Sequence, residues 1–268
     1  MDGVLILLAA VGAALLVTYW HSRRRGQRRE RLMAERLSTE QRQWLRANWE
    51  SWDDLPAETR TKVEGLTRVF LDEKVFEACG GLEEVTDEMR VVVAAQACLL
   101  WINQRGTPYP ALQAILMYPD AYRVRNDFGI EHVRLGESWS RGTVVLAWNS
   151  VQSGGRDDDD GHNLVFHEFA HQLDTLNGAA DGFPGMPREG DFSEWAEVCQ
   201  RDYEELCERY ERRQPAVLDF YGTKNPAEFF AVATETFFEK PKPFKEEHPE
   251  LYALMVTYFA NNPMDWKS

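Results

Sequence analysis

One segment constrains this chain more than any other, because it has the pattern of a metal-binding helix. It reads LVFHEFAHQLD and places His167, Glu168 and His171 in the spacing HExxH. Two histidines four residues apart are separated by about 40° around a helix, so both side chains lie on one face and can bind one metal ion. The other residues are mainly apolar, which favours a helix buried on its opposite side. Any fold of this chain must therefore bring a further ligand to that face.

Glu168 lies between the two histidines and is placed to act as a general base. Its carboxylate would take a proton from the attacking water and return it to the leaving amine. The simpler interpretation is coincidence, with two histidines and a solvated glutamate on a helix. A chance match in a chain of this length has a probability of about one in a hundred, so the catalytic interpretation is favoured.

A catalytic zinc site takes three protein ligands and keeps one position open, and three carboxylates compete for the third place. Asp174 lies about one turn beyond His171 and could instead orient a histidine or cap the helix. Glu228 follows the helix-starting Asn225-Pro226 and is acidic on an otherwise apolar helix. Glu235, seven residues later on the same face, could equally form a salt bridge or support a ligand. Spacing favours Glu228 and leaves all three open.

The first 21 residues predict a transmembrane helix. Residues 3–20 carry no charge and would reach roughly 27 Å, close to the hydrocarbon thickness of a bilayer. A cleaved signal peptide has its positive charges before the apolar run, whereas here seven arginines follow it between Arg23 and Arg36. A buried core helix is the other alternative. Basic residues mark the cytoplasmic flank, so we expect a single-pass protein of the cytoplasmic membrane with its catalytic domain in the cytoplasm.

The rest of the chain predicts a basic and polar connector over 22–45 and one domain over 46–268. Helical patterns predominate, including Leu66 to Phe76, and short β-rich runs between Ala114 and Trp148 predict a small sheet. The class is therefore α+β and mainly helical. The formal net charge of -14 excludes nucleic acid as the main partner, since phosphate binding needs a basic surface.

Several separated motifs in one order resemble the Mlc titration factor A family of zinc peptidases. The resemblance extends from about Gly65 to Tyr258. Its motifs are Thr86-Asp87-Glu88-Met89-Arg90, Asp160-Gly161-His162-Asn163, His167 to Asp174, Asp181-Gly182-Phe183-Pro184, and Tyr221 followed by Pro226 to Val232.

The resemblance implies a zincin-like domain with a gluzincin site similar to that of the anthrax lethal factor catalytic domain. It implies one Zn²⁺ ion with His167, His171 and Glu228 as ligands. It also implies Glu168 as the base and Tyr221 as the hydroxyl that steadies the oxyanion.

The function implied is hydrolysis of a peptide or protein substrate, of the aminopeptidase type. The alternative is a non-catalytic, zinc-stabilised regulator that binds a transcription factor or a membrane partner. The name-giving family member binds the glucose repressor Mlc, so a transcriptional repressor is an implied partner. Glu168 favours the peptidase, because a pure binding module has no use for a base between its ligands. A hydrolase of non-peptide amides is a third possibility.

Overall fold

Helices make up most of the part of the chain that the structure describes. This computed structural model describes residues 2–120, 122–125, 131–134, 136–139, 142–178, 181–184 and 192–266. The helices are α1 (Asp2–Ala34), α2 (Thr39–Asn48), α3 (Ala57–Glu73), α4 (Asp87–Trp101), α5 (Trp148–Arg156), α6 (Leu164–Asp174), α7 (Phe192–Arg212), α8 (Pro226–Glu239), α9 (Pro241–Glu247) and α10 (Pro249–Phe259). The strands are β1 (Val75–Ala78), β2 (Ala114–Tyr118), β3 (Tyr122–Arg125), β4 (Glu131–Arg134), β5 (Gly136–Trp139) and β6 (Thr143–Ala147).

Four strands form one small sheet in the order β1-β2-β6-β5. β1, β2 and β6 are parallel, and β5 runs antiparallel to β6. β3 and β4 pair separately as an antiparallel ribbon. The mainly helical domain with a small sheet is as predicted, although residues 121, 126–130, 135, 140 and 141 of the predicted β-rich region lie outside the described residues.

The segment from Leu66 to Phe76 was predicted as one helix, and that prediction is wrong at its end. α3 ends at Glu73, and Val75 begins β1, which pairs with β2 in parallel register. Phe76 points into the core and is 6% exposed. The four residues of β1 are too few to show a strand period, and their partner strand lies about forty residues further along the chain.

The core surrounds α4, which is apolar on all sides as a fully enclosed helix must be. Residues from Val91 to Trp101 are all buried. The helix with the HExxH pattern, α6, packs its apolar face against this core, where Phe169 contacts the rings of Phe70 and Tyr109. Its histidine face is therefore turned away from the core.

The predicted transmembrane helix over 1–21 requires a correction. Within the part of the chain that the structure describes, no helix combines the length and the apolar character needed to cross a membrane. The prediction of a single-pass protein of the cytoplasmic membrane is wrong on the same finding. The apolar residues are the first half of a helix, α1, that continues without a break to Ala34 and carries most of the arginine cluster.

The second half of α1 packs on the domain. Arg29 pairs with Glu73 of α3, and the Cα of Gly65 lies so close to Met33 that an added Cβ would stand 2.5 Å from its carbonyl oxygen. The arginine-rich connector is thus partly a packed helix. The predicted boundaries between the segments 1–21, 22–45 and 46–268 stay a prediction.

Candidate metal centre

The two histidines of the pattern lie on α6, and its start is fixed locally. Asn163 caps this helix, and its side-chain oxygen accepts a hydrogen bond from the backbone N–H of Phe166 at 3.1 Å. His167 and His171 lie one helical turn apart, and the centroids of their imidazole rings are separated by 5.0 Å. Both side chains keep some exposure, 14% and 19%, so the rings lie near the surface of the domain.

The third residue comes from the first turn of α8. Asn225 caps this helix by accepting from the backbone N–H of Glu228 at 3.0 Å, and Pro226 occupies the first helical position. Glu228 is therefore held at the amino-terminal end of α8, where the helix dipole favours an ionised carboxylate.

The structure brings His167, His171 and Glu228 together. Glu228 Oε2 lies 3.0 Å from Nε2 of His167 and 3.2 Å from Nε2 of His171, and one ligand atom from each residue falls within 4.8 Å of the others. Ligand atoms about 2.0–2.2 Å from one tetrahedral ion lie about 3.3–3.6 Å apart. Two imidazoles and a carboxylate at this spacing fit a zinc ion with little movement.

Glu235 was a candidate third ligand and occupies a different place. Its Oε2 lies 3.0 Å from Nδ1 of His167, and its Oε1 accepts the backbone N–H of Asn163 at 3.0 Å. Seven residues beyond Glu228 on α8, it is about 10 Å further along the helix axis. It therefore orients His167 from behind, as a carboxylate behind a metal-binding histidine commonly does.

Asp174, the other candidate, is not among the residues whose ligand atoms converge in the described part of the chain. Its side chain is fully buried at the end of α6, and Oδ2 accepts the backbone N–H of Gly182 at 2.9 Å. Burial raises the pKa of this carboxyl to about 6, and the hydrogen bond from Gly182 offsets that effect only in part. Asp174 therefore binds the segment 181–184 to the end of α6.

His167 and the carboxylates of the site shift one another's pKa values. Burial alone would raise the pKa of Glu228, but the hydrogen bonds with His167 and His171 outweigh it and hold the pKa well below its usual range. Burial alone would lower the pKa of His167, whereas attraction to Glu235 and the hydrogen bonds to both carboxylates raise it well above its ordinary value. Two imidazoles and two carboxylates in contact form a cluster whose negative charges favour a bound cation.

The two predicted catalytic residues lie beside this group. Glu168 is buried, 4% exposed, and its charge acts on its neighbour His167. Tyr221 is 44% exposed, and its ring centroid lies 5.7 Å from that of His167. The structure thus places both near the metal-binding face and leaves their roles as predictions.

Two residues that support Tyr221 were missed at the sequence level. Asp219 accepts the backbone N–H of Tyr221 at 2.6 Å and caps the short 3₁₀-helix Phe220–Lys224. Lys224 Nζ lies 3.3 Å from the centroid of the tyrosine ring. The sequence signal for this turn is an aspartate two residues before Tyr221. The same spacing is common in loops without a function, so it does not identify a site.

Comparison with known proteins identifies the family of this chain. The model of the family described as glucose-regulated metallo-peptidase M90 matches residues 22–260. An uncharacterized protein of Synechocystis sp. is 42% identical over 219 residues, 78% of this chain and 79% of that protein. Mlc titration factor A of Serratia proteamaculans is 31% identical, covering 67% of this chain and 72% of its own. The Escherichia coli protein of that name is 30% identical, covering 78% and 82%.

These matches confirm the predicted resemblance to Mlc titration factor A proteins. The family match covers both helices of the site, including all three converging residues. The chain belongs to the glucose-regulated metallo-peptidase M90 family.

Proposed function

We propose that this protein is a zinc-dependent peptidase of the aminopeptidase type. The observation that carries the proposal is the convergence of His167, His171 and Glu228, whose ligand atoms lie within 4.8 Å of one another. Membership of a metallo-peptidase family supports the reaction class. Two histidines and a carboxylate leave one position open in a tetrahedral site, as catalytic zinc requires.

When bound, a zinc ion would polarise the substrate carbonyl and make water a better nucleophile at neutral pH. The residues of the chain do the rest. Glu168 takes a proton from the attacking water and delivers it to the nitrogen of the leaving amine. The hydroxyl of Tyr221 donates a hydrogen bond to the oxygen that becomes negative during attack. Glu235 keeps His167 in the orientation that presents Nε2 to the ion.

The test uses the full chain and measures bound metal and peptide hydrolysis together. We expect one zinc per chain and hydrolysis of substrates with a free amino terminus, with much slower cleavage of the same peptides after N-acetylation. Glu168→Gln should retain the zinc and lose activity, because it removes the base and keeps the ligands. Glu208→Gln, at an exposed position on α7, is the matched control and should change neither.

Each outcome bears on a separate part of the proposal. Loss of activity with retained zinc supports the peptidase mechanism. Equal cleavage of free and acetylated peptides would reject the aminopeptidase type alone. Bound zinc with no hydrolysis across a broad peptide panel would reject catalysis, and a chain that binds no zinc would reject the metal site.

A second function, binding of a transcriptional repressor, is favoured by one observation. Relatives at about 30% identity are named Mlc titration factor A, and that name describes them as titrating Mlc. For this chain the corresponding test is co-elution with purified Mlc on gel filtration. Binding that persists in Glu168→Gln would separate this function from catalysis, and no binding at micromolar concentration would reject it for Mlc.

A further inference from the structure

We propose that Asp174 and Gly182 are positioning residues that set the place of the third ligand, Glu228. The inference rests on the proposed zinc site and extends it to residues that touch no ligand. Asp174 ends the helix that carries both histidines, and Gly182 contacts the first residue of the helix that carries Glu228. The two residues therefore connect the two halves of the site.

One connection between these helices is already part of the site. Glu235 accepts the backbone N–H of Asn163 and lies against His167, so it joins the first half of α6 to the second half of α8. Phe166 of α6 also packs its ring on Phe238 of α8, near the same end of α8. Glu228 lies at the other end of α8, two turns from Glu235, where its carboxylate contacts His167 and His171. A backbone contact at that end would set the position of the turn that carries it.

Asp174 and Gly182 supply that contact. The carboxylate of Asp174, fully buried, accepts the backbone N–H of Gly182 at 2.9 Å. The side chain of Asn177 donates to the carbonyl of Phe183 at 2.7 Å, which holds the same segment from its other side. The segment 181–184 is thereby fixed to the end of α6.

Gly182 passes this constraint to α8 by backbone contact. Its φ is +81°, and a Cβ added there would lie 2.3 Å from the carbonyl oxygen of Pro226 and 2.5 Å from its carbonyl carbon. Those distances are about 1 Å inside ordinary van der Waals contact. Pro226 is the first residue of α8 and lies two positions before Glu228. A side chain at 182 therefore forces a shift between the segment 181–184 and the turn that carries Glu228.

The size of that displacement decides the expected effect. A zinc site tolerates ligand distances within about 0.2 Å, whereas a methyl group at 182 requires a shift of about 1 Å. A residue that only stabilised the loop would change the melting temperature and leave zinc affinity alone. A positioning residue changes zinc affinity as well.

The experiment compares Gly182→Ala with Gly178→Ala in the full chain. Both glycines have positive φ, +81° and +94°, so both substitutions introduce similar backbone strain. At Gly178 an added Cβ has nothing within 4 Å, which makes it the matched control. Zinc affinity is measured by competition with a chromophoric chelator, and folding by circular dichroism and thermal melting.

We expect Gly182→Ala to bind zinc at least about tenfold more weakly than wild type, and Gly178→Ala to stay within about threefold. Equal zinc affinity in Gly182→Ala and Gly178→Ala would overturn the inference. If the wild type binds zinc in the same assay, the proposed metal site is unaffected by that result. A wild type that binds no zinc would overturn the metal site itself, and this inference with it.

A second pair of variants covers the case in which Gly182→Ala does not fold. Asp174→Ala removes the acceptor for Gly182, whereas Asp174→Asn keeps an oxygen that can accept the same hydrogen bond. We expect weakened zinc binding in the first and affinity near that of wild type in the second. Asp174→Ala with wild-type affinity would contradict the positioning role.

Discussion

Replacing Glu235 by glutamine tests how the site holds its first histidine. The carboxylate has two acceptor oxygens, one for the backbone N–H of Asn163 and one for Nδ1 of His167, each at 3.0 Å. When Nε2 of His167 binds a metal, Nδ1 carries the proton and is a donor. Glutamine offers one oxygen and one NH2 group, so one of the two donors must face another donor.

The expected cost follows from the lost hydrogen bond. A hydrogen bond to a charged acceptor contributes about 1.5–3 kcal/mol, and loss of a carboxylate behind a metal-binding histidine weakens metal binding by about 10- to 100-fold. We expect Glu235→Gln to weaken zinc affinity in that range. Competition with a chromophoric chelator at pH 7.5 measures it directly.

Glu239→Gln is the matched control for this substitution. Glu239 lies one turn further along α8, is 4% exposed and is not among the residues that pair with His167 in the described part of the chain. Burial raises the pKa of Glu239 well above its ordinary value, so a neutral amide is better tolerated there than at an exposed carboxylate. Its zinc affinity should match wild type. If Glu235→Gln also binds zinc as tightly as wild type, the assigned role of Glu235 is refuted.

Two further predictions concern residues on either side of the site. Tyr221→Phe should lower kcat by about 100-fold with zinc affinity unchanged, since it removes one donor to the oxyanion; an unchanged kcat would reject that role. Burial raises the pKa of Asp174 from 3.8 to about 6, so the folded state binds more protons than the unfolded state between those values. The stability that Asp174 contributes is thus present in full below about pH 4 and is lost as pH rises through 6. The free energy of unfolding of the metal-free proteins is measured in urea. Relative to wild type, that of Asp174→Asn should rise between pH 4 and 6 by at most about 3 kcal/mol. A difference between the two proteins that does not change with pH would contradict the raised pKa.

The parts of the molecule that the sequence predicted are those encoded by nearby residues. The helix around His167 and His171 follows from apolar residues at helical spacing, and Asn163 and Asn225 cap their helices as such residues do in isolation. β1 was missed because a strand of four residues depends on pairing with β2. The transmembrane prediction was wrong because it considered residues 3–20 by themselves. They are the first half of a 33-residue helix whose second half carries arginines and packs against α3.

The choice of third ligand between Glu228 and Glu235 could not be made from local sequence. Glu228 and Glu235 lie seven residues apart on one face of α8, so helical periodicity makes them equivalent and cannot say which turn lies opposite His171. That choice depends on the position of α8 along the axis of α6. Near one end of α8, Glu235 is hydrogen-bonded to Asn163 and His167. At the other end, the backbone of Gly182 packs against Pro226. The first turn of α8 lies beside His171, which favours Glu228 as the proposed third ligand and Glu235 as the residue that orients His167.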